Sequence, residues 1–260
     1  MSGLWAIAIN TFRETVRDRV LYAFVFFALF VTLAGILLGS LSISQNVRVL
    51  EDIGMFTISI IGGVIAIFVG TNLVYKELDK RTIYLIFTKP IARWQFIVGK
   101  FLGLALCLLA VTLMMGAFLI ATAYFNGERN LLAMFESLGL LYLELLLVNA
   151  LATFFSTFAT PLMSVIFTLG LWICGHLSQS LLALGNMSTN PLVKTLFAGI
   201  YHLLPDLAKL TQIRFEILAA SKAVPHFSSE ALILIIAYVF AYVVILLSFA
   251  TAVTERREFS

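Results

Sequence analysis

The chain has 260 residues, 61% of them hydrophobic and 12% charged, with a mean hydropathy of +1.03. A soluble domain carries about 45–50% apolar and about 25% charged residues, so a disordered protein and an ordinary cytosolic enzyme are excluded. The net charge of +3 offers no basic patch for nucleic acid, and lipid is the expected solvent for most of the chain.

In residues 4–19, Leu4, Trp5, Ala8, Phe12 and Val16 recur at helical spacing, while Asn10, Arg13, Glu14, Arg17 and Asp18 fall mainly on the other side. That pattern predicts an N-terminal amphipathic helix within residues 1–19, lying in the membrane interface with its arginines toward an anionic leaflet. Six stretches then meet the length a bilayer core requires, about 20 apolar residues. They are residues 20–41, 53–75, 101–125, 131–155, 161–184 and 231–253. Backbone polar groups in lipid are satisfied only within the segment, so each is predicted to be a helix. The first run is too long for a signal-peptide core and is expected to stay as an anchor.

Lys and Arg set the orientation. Eleven lie in the N-terminal segment, the connection between the second and third spans, and the C-terminal tail; six lie in the other connections. Both termini are therefore expected on the cytoplasmic side of a cell (inner) membrane, and residues 185–230 outside. In that outer segment Leu196, Ile200, Leu203, Leu207 and Leu210 keep helical spacing, interrupted by Pro205.

The most informative connection is YKELDKRTIYLIFTKPIARWQFIVGKFL, residues 75–102. Glu77 stands four residues before Arg81, the better order for a helical ion pair. Ile83, Leu85, Ile86 and Phe87 form a short apolar patch, and Pro90 ends the helix. Gly99 and Gly103 make a GxxxG at the start of the third span, a spacing that permits close helix approach. A short charged helix with an apolar tip is more than a loop needs, and it is suited to docking on a cytoplasmic partner.

This segment resembles the signature region of ABC-2 type transporter permeases. Its elements here are Glu77, then Arg81 and Thr82, the run Tyr84, Leu85, Ile86, Phe87, then Thr88-Lys89-Pro90, Arg93 and Gly99-Lys100. Thr82 stands where a glycine is common. NTFRETVRDRVLY near the start is similar to the family's interfacial elbow helix. LPDLAKLTQIRFEI resembles the stretch before its last span, and ERREF its basic tail. The permeases of nitrous-oxide-reductase maturation systems are a similar-looking branch. The resemblance implies a single all-α permease domain over residues 1–260. It would have six transmembrane helices, an interfacial N-terminal helix, a cytoplasmic coupling helix and short outer helices. It also implies a dimer with itself or a related permease, and a separate ABC ATPase subunit that holds ATP and Mg. Coupling to that subunit would fall to Glu77, Arg81, Thr82, Tyr84, Leu85, Phe87, Thr88 and Pro90. An outer or periplasmic accessory protein is a further implied partner.

No catalytic constellation accompanies these features. There is no GxxxxGK[ST], HExxH or GxSxG, so no cofactor is expected on this chain and it is not expected to be an enzyme. Cys107 and Cys174 sit in apolar runs without metal spacing and are expected to pack as small hydrophobes. Glu144, about 13 residues into the fourth span, is costly: an ionised carboxylate at mid-bilayer costs about 2.5–3.5 kcal/mol on insertion scales. Glu144 is therefore expected to face the protein interior or be protonated, with Asn149 as its partner; His176, toward the outer end of the fifth span beside Ser178 and Gln179, is a separate polar candidate. These are candidates for a substrate pathway, a subunit interface or a structural hydrogen bond. The rival class is an ATPase-independent channel or scaffold. It would show pore-lining polar residues at helical spacing, and the spans do not.

Overall fold

The computed structural model describes residues 3–17, 22, 25–26, 29–30, 33, 46–79, 92–127, 131–187, 190–220 and 229–256. Among the described residues the regular structure is helical, with no strand. Most of the first apolar stretch and all of residues 80–91 lie outside them, so the expectations for Arg81, Thr82, Tyr84, Leu85, Phe87, Thr88 and Pro90 fall there too. Glu77 lies in the last turns of a long helix that continues from the second stretch.

The labelled helices are α1 (Gly3–Val16), α2 (Asn46–Asp79), α3 (Arg93–Phe125), α4 (Leu131–Ser156), α5 (Pro161–His176), α6 (Ser178–Met187), α7 (Pro191–Leu203), α8 (Leu207–Ala220) and α9 (Ser229–Arg256). Four contain an apolar stretch long enough to cross a bilayer: Arg48–Asn72 in α2, Arg93–Phe125, Leu131–Ser156, and Leu232–Glu255 in α9. The fifth stretch is not one straight helix. α5 and α6 bend by 61° at Leu177. The bend lies where the chain entering α8 packs on α5: a Cβ on Gly175 would lie 2.9 Å from both the Pro205 carbonyl oxygen and Leu207 Cδ1. Pro205 also divides the outer segment, as its sequence suggests, into α7 and α8.

α4 is the axis of the bundle. Of its 26 residues, 17 are buried, so it has no single apolar stripe; that is the pattern of a helix enclosed by others. α2, α3, α5, α8 and α9 pack around it. α9 is the opposite case. Ile233, Leu234, Phe240, Val244 and Phe249 are exposed along it, a face for lipid in a helix of this composition.

α1 packs along the start of α3; Phe12 and Val16 of its apolar stripe pack against the core, but the residues it buries most deeply are small. Ala8, Thr11 and Thr15 are buried, while Trp5 is exposed. The reason is on α3. A Cβ on Gly103 would lie 2.6 Å from the Ala8 carbonyl oxygen, and one on Gly99 would lie 2.9 Å from Ile7 Cβ. Two glycines one turn apart bring the backbones together, so the small face of α1 is the one that fits. Glu14 of α1 pairs with the buried Lys100 at 3.9 Å. Two turns earlier, the Arg93 guanidinium donates from Nη1 to the Thr254 and Glu255 carbonyls, each at 3.0 Å. A cation on the last carbonyls of α9 satisfies orphan acceptors and complements the helix dipole. The first turns of α3 thus hold both ends of the described chain.

Candidate functional site: a buried carboxylate joining four helices

Glu144 lies halfway along α4 and is 1% exposed. A carboxylate so placed must be met by donors or lose several kcal/mol of hydration without return. Three elements supply them. Ser59 Oγ of α2 donates to Oε1 at 2.9 Å. Arg214 Nη1 of α8 donates to Oε2 at 3.3 Å. His176 Nε2, at the last residue of α5, is 3.2 Å from Oε1.

His176 is itself oriented. Its Nδ1 is 3.0 Å from the Trp172 carbonyl oxygen, and its ring stands edge-on to the Trp172 indole at 5.5 Å. A carbonyl and a carboxylate are both acceptors, so only an imidazole protonated on both nitrogens can donate to both at once.

Arg214 reaches Glu144 against the usual habit of long cationic side chains in membranes, which snorkel outward. The Arg214 carbonyl accepts from Ser137 Oγ at 3.4 Å, and Ser137 is seven residues before Glu144 on α4. At 3.6 residues per turn, the α8 backbone at Arg214 therefore meets α4 about two turns before Glu144. The guanidinium spans that gap inward, with its side chain 3% exposed and its Cζ 5.5 Å from the Phe215 ring. Leu207, Leu210, Ile213 and Ile217 seal α8 onto the bundle around it.

The arrangement tests the three candidates. Glu144 and His176 are brought together. Asn149 is not part of the group: its Nδ2 donates to the Phe101 carbonyl of α3 at 3.1 Å. Five residues advance an α-helix by more than one turn, which turns Asn149 to α3 and away from Glu144. Ser59 and Arg214 take the place expected of it. Arg214 was legible in principle, because it lies on the same stripe as Leu207, Leu210 and Ile217, where an outward-facing arginine would not. Ser59 carries no signal in an otherwise apolar run.

A second polar group fixes the other end of α8. Asp206 caps that helix, accepting from Lys209 N–H at 3.1 Å. Its carboxylate also accepts from Ser178 Oγ of α6 and Tyr201 OH of α7, both at 2.9 Å, and its own N–H donates to Tyr238 OH of α9 at 3.1 Å. The hydrogen bond to Asp206 raises the Tyr201 hydroxyl above the ordinary tyrosine value. Asp206→Ala is expected to cost about 1–2 kcal/mol for the cap alone. Amide exchange in the first turn of α8 should then rise about tenfold per 1.4 kcal/mol. Asp206→Asn, which keeps a capping oxygen, should remain near wild type; equal exchange in both variants would remove the cap from the account.

These contacts join α2, α5 and α8 to α4 through one carboxylate. Among the described residues no group of three His, Cys, Asp or Glu stands close enough to hold a metal. Both cysteines are free, with Cys107 buried at the α3 packing surface.

A comparison with curated proteins gives no match. The model of the ABC-2 family transporter proteins matches residues 5–254, nearly the whole chain, and the chain belongs to that family.

Proposed function

We propose that the chain is the membrane-spanning permease subunit of an ATP-binding cassette transporter, moving its cargo on ATP hydrolysed by a separate cytoplasmic subunit. The reading includes six spans, residues 20–41 supplying the first and the bent α5–α6 pair the fifth. It places both termini in the cytoplasm of an inner membrane and α1 in the cytoplasmic interface. Two copies, or this chain and a related permease, would make about twelve spans. The cargo is amphipathic or membrane-derived, as in much of the family, or a small metal- or sulfur-related species as in the similar-looking nitrous-oxide-reductase branch.

The observation that carries the reading is the junction at the start of α3. Residues 77–90, proposed to seat in the ATPase, run directly into the turns that hold α1 through Gly99, Gly103 and Lys100, and α9 through Arg93. A displacement of the 77–90 segment is thereby delivered to both ends of the chain at once, which is the transmission a two-state transporter requires. Glu144, His176 and Arg214 are assigned to holding the outer helices on the bundle rather than to cargo.

The test is a pull-down of the detergent-solubilised, tagged chain from its native membranes. A stoichiometric partner carrying a P-loop is expected. A chain that co-purifies only with itself would favour the channel or scaffold class. In the complex, Glu77→Ala with Arg81→Ala should leave the chain in the membrane but weaken capture of the ATPase at least severalfold. Undiminished capture would remove the pair from the docking surface.

A further inference from the structure

A groove of about 480 Å³ opens beside α3, lined entirely by carbon-rich side chains and one thiol. Its floor is buried: Val25, Cys107 and Val111 are each no more than 6% exposed. Its rim stands out from the surface, with Tyr22, Phe26 and Met114 all half exposed or more. Val16, the last residue of α1, is part of its lining. A floor withdrawn from the surface between raised walls separates this groove from the flat apolar faces of α9, which any lipid can wet.

Charge stands close to Val16 along α1. Arg13 and Arg17, four residues apart at the end of that helix, are both exposed and flank Val16 in sequence. The acidic residue between them, Glu14, is turned to Lys100. Tyr22, which lines the groove, has an apolar ring and a polar tip that suit a headgroup boundary. An occupant of this groove therefore needs a long hydrocarbon part for the floor and an anionic group for the arginines.

We infer that the groove between α1, the side chains of Tyr22, Val25, Phe26 and Leu29, and α3 is a binding site for one acyl chain of an anionic membrane phospholipid, its phosphate held at Arg13 and Arg17. The acyl chain lies along Val25, Cys107 and Val111, where apolar burial supplies the affinity. The guanidinium pair supplies the choice of headgroup. This site stands apart from the Glu144 group and does not depend on the transporter reading.

The experiment is native mass spectrometry of the purified full chain, exchanged into detergent with equal amounts of phosphatidylglycerol and phosphatidylcholine. The wild type should retain one phospholipid per chain through washing, with phosphatidylglycerol preferred at least tenfold. Ala110→Trp, which fills the groove from α3, should lose the retained lipid altogether. Arg13→Gln with Arg17→Gln should keep a bound lipid but lose the preference. Retention unchanged by Ala110→Trp, or a headgroup preference unchanged by the double arginine variant, would overturn the assignment. Ala110→Ser, which leaves the groove open, guards against a folding defect: it should retain lipid as the wild type does, and loss of lipid in it as well would overturn the role of the groove shape.

Discussion

Glu144→Gln is expected to destabilise the chain by about 3–5 kcal/mol, the cost of breaking a buried ion pair from one side. Glutamine has nearly the size of glutamate, so no cavity forms. What changes is charge. Arg214 remains 3% exposed in the bundle without its anion. The new amide must also turn N–H donors toward Ser59, His176 or Arg214, which already present donors to Glu144. The measurement is the melting temperature of the solubilised chain by fluorescence-detected gel filtration, alongside its level in membranes. Both should fall sharply. Glu144→Leu combined with Arg214→Leu should recover most of the loss, because replacing a buried pair by apolar residues is often neutral or stabilising. His176→Gln should cost less than either single change, since that side chain is 29% exposed and water can partly serve it. A Glu144→Gln chain as stable as the wild type would end the role of this carboxylate as a fastening and return it to the pathway candidates.

That expectation shows where sequence reasoning runs out. A glutamate amid leucines announces a buried charge, because lipid makes it too costly otherwise. Its partners come from α2, α5 and α8, at separations of 85, 32 and 70 residues, and only tertiary packing chooses among such candidates. Asn149, about one turn further along α4, is the partner the sequence suggests, and it faces another helix. Arg214 belonged, by sequence, to an outer connection and counted only toward topology. Its position on a leucine stripe was the one sign that it turns inward.

The long helices were legible for the opposite reason: hydropathy over about 20 residues is a local quantity, fixed by the bilayer and not by neighbours. The stretches at 53–75, 101–125, 131–155 and 231–253 all fall within single helices. The stretch at 161–184 passes the same test and still breaks at Leu177. Hydropathy does not register a bend where Gly175 receives the chain entering α8. For α1 the periodicity gives the helix, and Ala8, Phe12 and Val16 of its apolar stripe do turn to the core, but the deepest contact is through Ala8, Thr11 and Thr15. The partner surface is made of glycines, and a glycine pair rewards small residues over large ones.

That glycine seat yields the second large effect. Gly103→Leu is expected to separate α1 from α3. A Cβ alone would stand 2.5 Å from Thr11 Cβ and 2.6 Å from the Ala8 carbonyl oxygen, and the latter is backbone, which cannot swing aside as a side-chain tip does. Overpacking of this kind costs about 1–3 kcal/mol for added methylenes in a close-packed site. α1 has 14 residues, near the length below which an isolated helix is marginal, so a penalty of that size is enough to unseat it. The Glu14–Lys100 pair would part with it, leaving Lys100 buried without that anion. Amide exchange across residues 3–16 should rise at least tenfold, and trypsin should cut at Arg13 and Arg17 where the wild type resists. Exchange in α4 should change little, because α1 does not pack against it strongly. Gly139→Leu is the matching control: nothing lies within 4 Å of a Cβ there, and α1 should stay protected. If Gly103→Leu left residues 3–16 as protected as in the wild type, the close approach at Gly103 would not be what seats α1. The path from the 77–90 segment to the N-terminus would then have to run through Lys100 and Gly99 alone.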